Sequence, residues 1–139
     1  MRNINIDFYT FYIYIELTGA YMAIDFKGVY QRFVELEIAA ENKSDLPTLD
    51  LSEKRLLSLF STYWVKRKLI TVVEAINISD EFSTSTSHRY LKMLRQKDYV
   101  ELIIDKIDNR VKYVSPTKQA DRYFASLGKL MIKAADEIA

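Results

Sequence analysis

From Thr117 to Ile138, apolar residues recur at steps of three and four: Ala120, Tyr123, Phe124, Leu127, Leu130, Met131, Ala134, Ala135 and Ile138. That spacing predicts a long amphipathic helix. Upstream, Tyr99–Ile104 and Val111–Val114 are β-favouring runs on either side of Asp105-Lys-Ile-Asp-Asn-Arg110, which reads as a hairpin. Helical spacing returns over about Thr84–Lys97, after a polar loop at Ser79–Ser83. Two earlier helices are announced by capping patterns. Thr71-Val-Val-Glu74 opens a short helix, Val72–Ile76, and Asp50-Leu-Ser-Glu53 precedes a helix over Lys54–Trp64. In each, a short polar side chain and a glutamate three residues on satisfy amides that the first turn leaves without partners. The Lys54–Trp64 helix is expected to bury Leu56, Leu57, Leu59, Phe60 and Tyr63.

The N-terminal third follows a different pattern. Residues 27–40 read as a helix that is apolar almost all round, with Val29, Tyr30, Phe33, Val34, Leu36 and Ile38. Such a helix needs cover on every side, here from a second subunit. Residues 42–48, with Pro47, form a loop. Residues 8–24 are dense in tyrosine and predict a buried helix or strand with hydroxyls at its edge. A membrane span needs about 20 predominantly apolar residues. This stretch instead holds Glu16, four tyrosines and two threonines, between Asp7 and Asp25, so no membrane partner is expected.

At 139 residues, 49% hydrophobic and 28% charged, the chain has material for one globular domain with a real core. It has no cysteine and a single histidine, so zinc sites and nucleophile–histidine pairings lack components. Three scattered glycines do not make a phosphate-cradling loop. Catalysis and a resident cofactor are therefore not expected, and nothing at the N-terminus reads as a cleavable signal, which leaves the cytoplasm as the expected location. The net charge of +1 conceals an asymmetry. Residues 1–50 carry four Lys/Arg against eight Asp/Glu, and residues 51–139 carry sixteen against eleven. A basic second part suits a polyanion, although chance patterning of solvated charge gives the same count.

The candidate chemistry lies in that basic part. On the helix at about 84–97, Ser87, Tyr90, Leu91 and Leu94 share one face, while Ser85, Arg89, Lys92 and Gln96 occupy the other, flanked by His88 and Met93. Cations and small hydroxyls opposite an apolar back are what a DNA major groove accepts. A solvated surface helix would carry the same face. Beyond it, Lys106, Arg110 and Lys112 lie on or near the hairpin turn, where an arginine suits the negative potential of a narrow minor groove. Asp108 stands two residues before Arg110 and is placed to brace its guanidinium.

Helix, short helix, polar-faced helix, strand, basic turn, strand and long helix make a winged-helix order. Two stretches then resemble the MarR (multiple antibiotic resistance regulator) family. Ser85-Thr86, Arg89, Leu91, Leu94 and Asp98-Tyr99-Val100 resemble its recognition helix and exit, and Asp108-Asn-Arg110, Val114 and Pro116-Thr117 resemble its wing. Thr71–Glu74 also resembles the family's supporting helix, and the likeness covers about residues 49–130. Asp98 and Ala120 stand where the family usually has glycine, the loop before Ser85 is one residue longer, and the N-terminal segment does not follow the family's first helix.

The resemblance implies a mainly α fold with a small β-hairpin (α+β): a winged helix-turn-helix with N- and C-terminal dimerisation helices. Residues 1–48 would be the N-terminal dimerisation and aromatic segment, 49–116 the winged core, and 117–139 the C-terminal dimerisation helix. It implies a homodimeric transcriptional regulator on a pseudo-palindromic double-stranded DNA site. Ser85, Thr86, His88, Arg89 and Lys92 would face the major groove. Arg110, braced by Asp108, would reach the minor groove, with Lys106 and Lys112 on phosphates. A small aromatic effector near the segment at 8–30 is a further implied partner, plain core packing being the alternative there. The other function class left open is a winged helix that binds protein rather than DNA.

Overall fold

The computed structural model describes residues 24–138 together with Tyr9, Thr10, Ile13 and Leu17. They run in the order α1 (Phe26–Glu41), α2 (Leu51–Trp64), β1 (Ile70–Thr71), α3 (Val72–Ile76), α4 (Thr84–Gln96), β2 (Val100–Ile104), β3 (Lys112–Pro116) and α5 (Lys118–Ile138). Tyr9, Thr10, Ile13 and Leu17 are helical, and the rest of the aromatic stretch predicted at 8–24, Ile24 apart, lies outside the described residues. The chain divides into two compact units, residues 44–126 and residues 1–43 with 127–139.

Within residues 44–126 the local signals of the sequence are realised. Asp50 and Thr71 each accept the amide of the glutamate three residues on, and Glu53 and Glu74 reach back to the amides of Asp50 and Thr71. These are complete capping boxes. Two helices end on the same backbone device. After α4, the amides of Asp98 and Tyr99 bond to the carbonyls of Arg95 and Leu94, with Asp98 at φ 62°. After α2, Arg67 and Lys68 bond to Trp64 and Tyr63, with Arg67 at φ 54°. Both are Schellman closures, and both place a non-glycine residue in the left-handed position that glycine usually fills.

The hairpin is as predicted but is not alone. Strand β3 is central in a three-stranded antiparallel sheet of order β1-β3-β2, with Val114 opposite both Ile70 and Leu102. Against it packs one core of Leu49, Leu56, Leu57, Phe60, Ile70, Ala75, Leu91, Leu94, Tyr99, Val100, Val114 and Ala120. Two side chains expected inside α2's buried stripe lie outside it: Leu59 is half-buried and Tyr63 is 40% exposed. Glu53, which the apolar pattern does not mark, is instead fully buried with Leu56, Leu57 and Phe60. Its carboxylate accepts from Lys97 Nζ at 2.7 and 2.9 Å, and the same amine donates to the Thr48 carbonyl at 2.8 Å. A buried charge is tolerable only when paired in this way.

In the other unit, Asp25 caps α1 by accepting from the Gly28 amide. Arg32 bridges Glu35 and Glu137, which holds Glu137 below the usual carboxylate range. No residue of α1 is buried, and Phe26, Tyr30 and Ile38 are exposed. Among the described residues, no helix is long and apolar enough to cross a membrane.

Candidate nucleic-acid interface

The α4 helix begins at Ser83, whose Oγ accepts from the Thr86 amide at 3.2 Å. The Ser83 hydroxyl also donates to Thr86 Oγ1 at 2.8 Å and lies 3.3 Å from Ser85 Oγ. A run of hydroxyl residues suits this position because short oxygens compete for backbone amides at a helix start rather than in its interior. One residue on, Thr84 Oγ1 donates to Asn77 Oδ1 at 3.1 Å, and Asn77 returns an amide bond to the Val73 carbonyl. These bonds staple the end of α3 to the start of α4. The intervening loop is held by Glu81, which grips Arg55 in a fork of bonds, and by Phe82, whose ring meets Tyr90 edge-on at 5.8 Å. Arg55 holds the Glu81 carboxyl below its ordinary range.

The far end of α4 is held as firmly. Thr117 donates its hydroxyl to the Asp98 carbonyl and its amide to the Tyr99 carbonyl, and Gln119 donates to the Lys97 carbonyl. The Tyr99 hydroxyl, buried and raised in pKa by that burial and by Glu53, donates to the Pro47 carbonyl at 2.6 Å. Between these anchors Ser87, Leu91 and Leu94 are buried, so the helix has one fixed rotation about its axis. Ser85, His88, Arg89, Lys92, Arg95 and Gln96 are left exposed, and Thr86 is half-buried against the cap. The Arg89 guanidinium lies 5.2 Å from the centroid of the Tyr90 ring.

The wing turn is built on two aspartates. Asp105 Oδ1 accepts the amides of Ile107 and Asp108 at 2.8 and 2.9 Å, and its Oδ2 accepts from the Tyr113 hydroxyl at 3.0 Å. Those donors, the Asp108 amide foremost, hold the Asp105 carboxyl below its usual range, and Asp105 in turn raises the Tyr113 hydroxyl. Asp108 grips Arg110 with both oxygens, at 3.0 Å to Nε and 3.2 Å to the terminal nitrogen. That fork is the main cause of the lowered Asp108 carboxyl, with the Arg110 amide second. The Arg110 side chain is nevertheless 91% exposed, so it is oriented without being covered. Lys106 and Lys112 are exposed beside it.

Among the described residues, the cations of the unit fall into paired and unpaired sets, and Lys66, Arg67, Lys68 and Lys118, all exposed, share the unpaired state with the α4 cations and the wing lysines. Arg55, Lys97 and Arg122 are matched with Glu81, Glu53 and Asp45. Among the described residues, Arg89, Lys92, Arg95, Lys106 and Lys112 enter no ion pair. No hydrogen bond or ion pair there joins the α4 set to the wing set; each set is ordered by its own element. Two residues were missed by the sequence reading. Arg95 lines an open groove of about 450 Å³ with Lys92, Gln96 and Glu101, and the wing tip presents Ile107 at 99% exposure. Arg95, three residues beyond Lys92 on the polar side, could have been found from helical spacing; nothing in the sequence marks how far Ile107 protrudes. No group of histidines and carboxylates among the described residues is arranged to hold a metal.

Comparison with solved structures gives the fold. The heme sensor protein PefR from Streptococcus agalactiae, in complex with heme, superposes with a TM-score of 0.51 at 20% identity, covering 84% of this chain and 73% of that one. A mutant MarR from E. coli complexed with operator DNA gives 0.48 at 17% identity, covering 96% and 88%. The adhesin competence repressor AdcR from Streptococcus pyogenes gives 0.44 at 18% identity, covering 79% and 75%. No family model matches the sequence, and no curated protein matches it. The chain has a MarR-like winged-helix fold, α+β with a small three-stranded antiparallel sheet.

Proposed function

We propose that the chain is a sequence-specific DNA-binding transcriptional regulator that works as a homodimer, with α4 in the major groove and the wing at 105–110 in the minor groove. One observation carries this reading. An amphipathic helix is clamped at both ends, and the cations on its outward face are held out to solvent without acidic partners among the described residues. A merely solvated helix has no need of that rigidity. A protein that must hold side chains in register with base edges does. Ser85, His88, Arg89, Lys92 and Arg95 are the major-groove set, and Thr86 serves the cap. Arg110 is the minor-groove residue, aimed by Asp108, with Lys106 and Lys112 on phosphates.

The two-fold partner is a second copy, joined through segments 1–48 and 117–139. Its support is α1, in which Val29, Phe33, Val34 and Leu36 are only half-buried and none is fully buried, and the exposed Met131 and Ile132 of α5. A small aromatic effector is the remaining element; its support is the tyrosine-rich segment and the heme held by PefR. A thermal-shift series with planar aromatic compounds, heme included, tests it.

The deciding experiment is selection of duplexes from a random pool, followed by affinity measured against salt. The proposal expects a two-fold related site and a log–log salt slope of about −0.9 for each phosphate neutralised. Failure to enrich any sequence, with no retention on DNA at low salt, would refute it and leave the protein-binding reading.

A further inference from the structure

The wing tip holds a side chain that the cationic reading does not use. Ile107 is 99% exposed, between Lys106 and the Asp108–Arg110 pair. Its backbone is not loose. The Ile107 amide donates to Asp105 Oδ1, the Asp108 amide donates to the same oxygen, and Val111 closes the turn onto the Asp108 carbonyl at 2.9 Å. The Asp105 carboxylate is itself tied to the Tyr113 hydroxyl on β3. A rigid turn therefore presents a fully exposed β-branched apolar residue in a setting of exposed cations.

Nothing in the turn requires isoleucine, since its ordering bonds use the backbone at that position and the aspartate side chains. Water gains nothing from an apolar group held out in this way; burial on a partner would be favourable. The partner must accept two positive charges on the same turn and offer apolar surface between its own negative groups. A minor groove does both, because deoxyribose walls line it between two rows of phosphates, and apolar side chains enter it in many duplex-binding proteins.

We infer that Ile107 is a direct DNA contact, burying its side chain in the minor groove beside Arg110. The inference rests on the regulator reading and adds an uncharged contribution to it. An apolar contact releases no counterions, so its removal weakens binding without altering the salt dependence. Loss of Arg110 instead weakens binding and makes the slope shallower by about one.

The test uses the full chain and a duplex recovered by the wild-type protein from a random pool, with Ile107→Ala, Ile107→Asn, Ile107→Val and Arg110→Ala compared over a salt series. Ile107→Ala should bind roughly tenfold more weakly at an unchanged salt slope, Ile107→Asn more weakly still, and Ile107→Val nearly as wild type. Thermal midpoints should not move, because the residue touches nothing in the free protein. Ile107→Ala binding as tightly as wild type, while Arg110→Ala loses affinity, overturns this inference and leaves the regulator reading intact. A loss for Ile107→Ala that comes with a changed slope also overturns it, since the effect would then act through phosphate contacts. Wild-type protein that recovers no duplex overturns both.

Discussion

Replacing Lys97 by methionine isolates the one buried charge in the winged unit. The Lys97 amine makes three bonds, two to Glu53 at 2.7 and 2.9 Å and one to the Thr48 carbonyl at 2.8 Å. Glu53 is fully buried, whereas the Lys97 side chain is 30% exposed. Without the amine, Glu53 keeps the Asp50 amide at 2.8 Å and little else. The Thr48 carbonyl is on an exposed residue and can turn to water. Removing one partner of a buried pair costs about 3–5 kcal/mol. Solvent can approach from the lysine side, so the lower end applies, about 3 kcal/mol. For a unit of this size, that lowers the thermal midpoint by about 12–24 °C.

Trp64 is the reporter for this measurement. It is the only tryptophan in the chain, its ring lies 5.8 Å from Phe60, and its indole N–H donates to the Val114 carbonyl at 3.1 Å. Its fluorescence therefore follows the unit at 44–126. Urea unfolding of Lys97→Met, Glu53→Gln and the double variant completes a cycle. Glutamine can still accept the Asp50 amide, so the double variant should be more stable than the sum of the singles by at least about 1 kcal/mol. A Lys97→Met protein within 1 kcal/mol of wild type, or strictly additive singles, would refute this account of the pair.

Four further outcomes are expected. Ser87 has a buried hydroxyl with no partner, so Ser87→Ala should be neutral or stabilising by up to about 2 kcal/mol in the same urea assay; a clear loss would mean the hydroxyl is satisfied after all. Asp98 is held at φ 62°, so Asp98→Gly should leave stability unchanged or raise it by up to about 1 kcal/mol, and destabilisation would show that its side chain matters more than its backbone. Arg89→Ala should cost about 1–3 kcal/mol on the selected duplex and relax preference at one base position, whereas a uniform loss across sequences would reassign Arg89 to phosphate. Asp105 and Asp108 are lowered in the folded wing, so the order they confer is complete above their unfolded value near pH 4 and is lost only as pH falls through the depressed folded values. Amide NMR shifts of Ile107 and Asp108 should therefore titrate below the ordinary aspartate value; a midpoint at or above it contradicts the hydrogen bonding seen in the turn.

Much of the fold was legible because its determinants are local. A capping box needs four consecutive residues, a hairpin needs two runs and a turn, and α5 carries its stripe over five turns, so the sequence predicts all of them close to where they stand. The Asp108–Arg110 brace was legible for the same reason, being two residues apart on one turn. Leu59 and Tyr63 were misplaced because helical spacing marks a wide apolar stripe without saying which flank a neighbour covers. Strand β1 was not visible at all: two residues have no period, and Ile70 and Thr71 are extended because β3 pairs with them.

The sequence alone determined the order of the helices and of the hairpin, the two capping boxes, the basic character of the second part and the pairing of aspartate with arginine on the wing. Tertiary structure alone decided that Glu53 would be buried, since its partner Lys97 is 44 residues away. It also decided which cations would be spent on carboxylates and which left bare, and that Ile107 would stand fully in solvent. Each of these depends on what distant segments bring alongside a residue, and burial and ion pairing are properties of that meeting rather than of the residue itself.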